Sequence, residues 1–133
     1  MAFIHSIMAE NVAGDLTFKT KAFDMQRVVT ASVQATAADI GGSVSVGFKV
    51  QFSNAFPPNG DVPQNWTVPE ASWVDSYSGG TGGASGTLSS NTTVLLAVPA
   101  TSLLSRWIRV VQTPATGTGG TVKYELFARD NGK

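Results

Sequence analysis

Cysteine is missing from this 133-residue chain, and histidine occurs once, at His5. Without cysteine there is no disulfide, no thiolate nucleophile and no cysteine metal ligand. A lone histidine with neither a second ligand nor an orienting acid specifies no site, so His5 reads as structural or exposed. Charge is scarce as well: 14% of the residues are charged, against about 25% in an average globular domain. The nine basic and nine acidic residues cancel, which leaves no source for the phosphate neutralisation that nucleic-acid binding needs. No apolar run approaches the about 20 residues of a membrane span. The opening MAFIHSIMAENVAGD lacks the basic start and long apolar stretch of a secretory signal. These absences set the expectations of no cofactor, no metal, no nucleic acid and no membrane. A neutral, charge-poor surface suits a chain that buries itself against partners.

What the chain does have is alternation. From Val44 to Phe52 every second residue is apolar: Val44, Val46, Phe48, Val50 and Phe52 share one face, and Ser45, Lys49 and Gln51 the other. Leu16, Phe18, Thr20 and Ala22 alternate with Thr17, Lys19 and Lys21, and Val29, Ala31, Val33 and Ala35 with Thr30, Ser32 and Gln34. Further strands are expected at 3–8, 72–77, 92–98, 107–112 and 121–128. In the last of these Val122, Tyr124 and Leu126 face away from Lys123 and Glu125. The final two, joined by a Pro/Gly/Thr-rich stretch, read as an antiparallel hairpin. No window has a convincing helical period, and residues 99–105 offer a single turn at most. Short strands between turn-rich segments make the chain all-β, an antiparallel β-sandwich of jelly-roll-like form with about eight strands. Residues 15–133 form one such domain, a size that buries roughly two thirds of the unfolded surface. Residues 1–14 form an N-terminal arm or an edge strand.

Two loops stand out. Residues 53–69 carry four of the six prolines, Pro57, Pro58, Pro63 and Pro69, and read as an ordered excursion. GGTGGASG at 79–86 reads as a flexible loop, because it lacks the Lys-Ser/Thr ending of a phosphate loop. Asp61, Glu70 and Asp75 match no calcium-loop spacing and read as solvated acids. The Asn-X-Thr triplets at Asn65 and Asn91 carry no secretory context and read as unmodified. Trp73 reads as core. Phe56 and Trp66 are balanced between closing the sandwich end and serving as apolar anchors for a partner or a sugar. Trp107 reads as packing or a cation–π contact with its arginine neighbours.

In order along the chain come GFKVQFSNA, a proline-rich loop with Asn65-Trp66, a second tryptophan at Trp73, RWIRVVQTP, a Gly/Thr turn and TVKYELFA. This order resembles small jelly-roll or discoidin-like structural proteins of tailed-phage virions over roughly residues 44–129. The resemblance implies a non-enzymatic capsid decoration or cement protein, made in the host cytoplasm and carried on the capsid surface. Its implied partner is the major capsid protein, whose subunits it bridges as a homotrimer. Phe3, Ile4, Phe56 and Trp66 are the candidate partner-binding residues, and no catalytic residue carries over. Discoidin-like carbohydrate-binding modules share similar elements, so a carbohydrate-binding module of a tail or fibre, or a tail or baseplate adaptor, is the alternative.

Overall fold

The computed structural model describes residues 3–26, 28–39, 45–57, 66–75, 85–89, 92–98, 105–116 and 120–130. Nine strands lie among them: β1 (Phe3–Ala13), β2 (Phe18–Lys19), β3 (Phe23–Asp24), β4 (Val28–Ala38), β5 (Ser45–Ser53), β6 (Ser85–Ser89), β7 (Thr93–Ala97), β8 (Trp107–Thr116) and β9 (Thr121–Asp130). They form two antiparallel sheets. The first runs β1-β9-β4-β7 and the second β2-β8-β5-β6, with β3 also on β8. Because β2 and β3 pair with successive parts of β8, they are two halves of one interrupted strand. Eight strand positions result, and their pairs are nested: β5 with β6, β4 with β7, β2/β3 with β8, and β1 with β9. That is a hairpin rolled over on itself, the jelly-roll topology.

Period-two alternation places the core. Val46, Phe48, Val50 and Phe52 from β5 are buried, as are Ile108 and Val110 from β8. They meet Val33, Ala35 and Ala37 of β4 and Val122, Tyr124 and Leu126 of β9. Val44 lies outside the described residues. One polar group crosses this apolar layer, and its bonding is complete. Gln112 is fully buried, donates through Nε2 to the carbonyls of Ala13 and Leu16 (2.9 Å each), and accepts the Tyr124 hydroxyl at 2.6 Å. Burial pushes the Tyr124 hydroxyl pKa upward, which keeps it a donor.

The structure departs from the sequence reading in four places. First, β8 and β9 are not a hairpin: they belong to opposite sheets. Strict alternation records only which side chains face inward, so two strands on sheets packed about 10 Å apart show the same pattern as a hairpin. Second, the described residues 72–75 form no strand. A single 3-10 turn spans Glu70–Ser72, Val74 makes one bridge to Phe52, and 76–77 lie outside the described residues. Third, the end of the glycine stretch belongs to β6. A Cβ on Gly86 would stand 2.9 Å from the Phe48 ring and 3.2 Å from Val94, so glycine is there for close approach. Residues 79–84 and 99–104 lie outside the described residues. Fourth, Leu16 and Val29 are exposed. Val29 falls at a register shift between Val28 and Thr30, and such a shift turns a side chain out of the alternation.

Candidate functional site

The outward side chains of the two sheets differ in what covers them. On the second sheet a polar ladder fixes the segment 66–75 over the strands. Arg109, buried on β8, donates to both carboxylate oxygens of Glu70 (2.9 and 2.7 Å) and through Nε to Gln51 Oε1 (2.9 Å). Its guanidinium lies 4.4 Å from the Trp73 ring centroid. Lys19 adds a bond to Glu70 at 2.7 Å, and Gln51 passes the chain on to Asp75, which Lys49 also reaches. The Arg109 bonds, then the Lys19 bond, lower the Glu70 carboxyl from its ordinary 4.5 to about 2. The Gln51 hydrogen bond, with help from Lys49, holds Asp75 below its ordinary value against desolvation. Glu70 and Asp75 are therefore clasps for a strap, not free solvated acids. Trp73 is half-buried as the strap's stacking surface rather than core. Asp61 lies outside the described residues.

At one end of the sandwich the loop aromatics gather around Arg106. Trp66 packs on Trp107 with ring centroids 6.0 Å apart, and Trp107 donates its indole N–H to the Ala55 carbonyl at 3.0 Å. Arg106 lies over both Phe56 (4.8 Å) and Trp107 (5.0 Å), and pairs with Asp24. Of the two loop aromatics, Trp66 is half-buried and spent on end closure, while Phe56 stays 45% exposed with Arg106 over its ring. Of the loop prolines, Pro57 is buried and Pro69 exposed; Pro58, Pro63 and Asn65 lie outside the described residues, as does Asn91.

The outer face of the first sheet has no such strap among the described residues. Residues directly opposite each other in an antiparallel pair point to the same side. Outward therefore go Phe3, His5 and Ile7 of β1, which stand opposite Arg129, Phe127 and Glu125 of β9. Next come Ser32 and Gln34 of β4, opposite Ala97 and Leu95 of β7. Phe3 and Leu95 are each 66% exposed and Ile7 47%. At the centre His5 stacks flat on Phe127 (4.6 Å, 14°) and holds Glu125 Oε2 at 2.6 Å. Gln34 donates to the other Glu125 oxygen at 3.4 Å, and Lys123 lies 3.8 Å away. So His5 does have an orienting acid, Glu125, brought in from 120 positions along the chain. That partner could not be read from residues next to His5, although the Lys123/Glu125 face of β9 was legible. Chemically the couple is a hydrogen-bonded clasp between an edge strand and its neighbour. Among the described residues no group of three metal-ligating side chains forms.

Of the sequence-derived partner residues, Phe3 stands on this open face, Phe56 and Trp66 sit at the sandwich end, and Ile4 turns inward, half-buried beside Val28 and Asp24. The three-dimensional arrangement does not bring the four together. Residues 3–13 form an edge strand along β9. Leu95, which sequence alternation places on a strand but does not single out, joins Phe3 and Ile7 as a large exposed apolar group. No protein-family model matches the chain, and no curated protein matches it in sequence.

Proposed function

We propose that this protein is a non-enzymatic structural component of a tailed-phage virion, a decoration or cement protein that bridges major-capsid subunits. The observation that carries this reading is the outer face of the first sheet, where Phe3, Ile7 and Leu95 stand exposed in a chain with few charges. Large apolar groups exposed on one face around the His5–Glu125–Gln34 cluster support a docking role for it, and such groups gain energy by leaving water. The second sheet, strapped by the Arg109–Glu70 ladder, supplies a stiff backing, so little order is lost on docking. The order of elements from residue 44 to 129 supports the virion setting. Made in the host cytoplasm, the protein would act from the capsid surface.

Leu95→Lys on β7 tests this reading. The substitution puts a charge at one of the two most exposed apolar sites without touching the core, and occupancy on isolated capsids should fall at least about tenfold, equivalent to about 1.4 kcal/mol, with an unchanged urea midpoint. Unaltered occupancy would overturn the capsid-binding face. The carbohydrate-binding module is favoured instead if the protein binds a glycan array and Trp66→Ala abolishes that binding, since Trp66 and Phe56 form the aromatic end.

A further inference from the structure

We infer that the first five residues of β1 are a self-pairing edge through which two copies of this chain join as a twofold dimer. An edge strand exposes a row of unpaired backbone N–H and C=O groups, and proteins blunt such edges with charge, proline, bulges, shortness or cover. The other edges are protected in these ways. β2 and β3 are two residues each and are interspersed with Lys19, Lys21 and Asp24. β6 and β7 are five residues each and close on one another where Gly86 meets Val94. In β1 the bulges come only after Ile7, at the register shifts before Ala9 and Val12, and Asn11 takes a left-handed φ of 56°. From Phe3 to Ile7 the strand is in unbroken register with β9 and contains no lysine, arginine, aspartate, glutamate or proline.

The side chains of this stretch are complementary to themselves. If two copies of β1 pair antiparallel about His5, Phe3 of one stands opposite Ile7 of the other, twice, on the same outer face. Those are two of the four large exposed apolar residues on the strands of that sheet, Val29 and Leu95 being the others, and each finds an apolar partner. A contact that uses the same patch on both copies is isologous and closes at two subunits. It would extend the first sheet into one continuous eight-stranded sheet. Five paired residues per copy make a small interface, which belongs with weak, reversible association. The pairing shares Phe3 and Ile7 with the capsid-binding face, but it concerns the chain alone in solution, so its failure and that of the capsid reading are distinguishable.

Sedimentation velocity and cross-linking test it. The protein should pass from monomer to dimer between roughly 5 and 200 µM, and Ile7→Lys or Phe3→Lys should raise the dissociation constant at least about tenfold. Both sites are exposed, and far-UV circular dichroism of each variant reports folding. Since the chain has no cysteine, His5→Cys can form only an intermolecular disulfide, and the dyad sets its two copies within bridging reach. It should oxidise to a covalent dimer much faster than Leu95→Cys, although Leu95 is the more exposed of the two positions. An equimolar mixture of Phe3→Cys and Ile7→Cys should give the mixed dimer in preference to either homodimer. A monomer at the highest concentration, a species of three chain masses, a dimer undisturbed by both lysine variants, or cross-linking at Leu95→Cys as fast as at His5→Cys would overturn the pairing.

Discussion

The close approach of Gly86 to Phe48 makes a double-mutant cycle with an unusual expected sign. Phe48 is 3% exposed, with its ring 5.6 Å from that of Tyr124. Truncating it to alanine should cost about 3–5 kcal/mol, the usual range for a buried phenylalanine. Gly86→Ala in the intact protein drives a methyl to within 2.9 Å of that ring and 3.2 Å of Val94, an overpacking that should cost about 1–3 kcal/mol. With the ring gone the same methyl enters vacated space, and Val94 has room to shift. It then regains about 0.8 kcal/mol of apolar burial, and alanine in a strand avoids the about 0.5–1 kcal/mol entropy of glycine. Gly86→Ala should therefore turn from destabilising to neutral or mildly stabilising in the Phe48→Ala background. The coupling is about 2–4 kcal/mol, well above the roughly 0.5 kcal/mol scatter of independent sites. Urea titrations of the four proteins, read at constant m, measure it directly. Additive effects would mean that β6 does not lie against the Phe48 ring.

Glu70→Gln should lower the urea midpoint by an amount that depends on pH. Because the folded-state pKa of Glu70 is lowered from 4.5 to about 2, its contribution is fully present above 4.5 and is lost as the pH falls through about 2; a gap between variant and parent that does not narrow across this window would refute the clamp. Tyr124→Phe leaves the Gln112 carbonyl oxygen unpaired and should cost about 1–3 kcal/mol. Gln112→Leu strips partners from the Tyr124 hydroxyl and from the Ala13 and Leu16 carbonyls together, and should cost more than Tyr124→Phe; the reverse order in urea midpoints would show that the network is not shared as described.

Much of the fold was legible because one face of most strands is buried. For β5 and β9 the alternation alone separates inward from outward residues, and the described residues of both follow it. What alternation cannot carry is partnership. It cannot tell a hairpin from an arch, since β8 and β9 present the same pattern either way and only their main-chain partners differ. Nor does it find β6, where Gly86 looks like a continuation of a flexible tract until the Phe48 ring is set beside it. The candidate site was less legible still. Glu125 meets His5 across 120 positions and Arg109 meets Glu70 across 39, and neither pair has a local signature. Phe3 stood out by size at an end of the chain, whereas Leu95 needed the register of β7 on β4 to place it outward.

The nested pairing also sets a timetable. β1 leaves the ribosome long before its strand partner among the described residues, β9, which is made more than a hundred residues later. At roughly 5–20 residues per second that is a wait of roughly 5–20 seconds. Throughout it Phe3, Ile7 and Met8 have no sheet to join, and the pairs that can form earlier, β5 with β6 and then β4 with β7, do so only after long loops close, which is slow. A nascent chain of this topology is thus most exposed at the strand whose outer edge no other described strand pairs with in the folded protein. Newly made chains on neighbouring ribosomes could meet there before either has finished, so conditions that slow translation should increase aggregation of this protein more than conditions that slow folding of the finished chain.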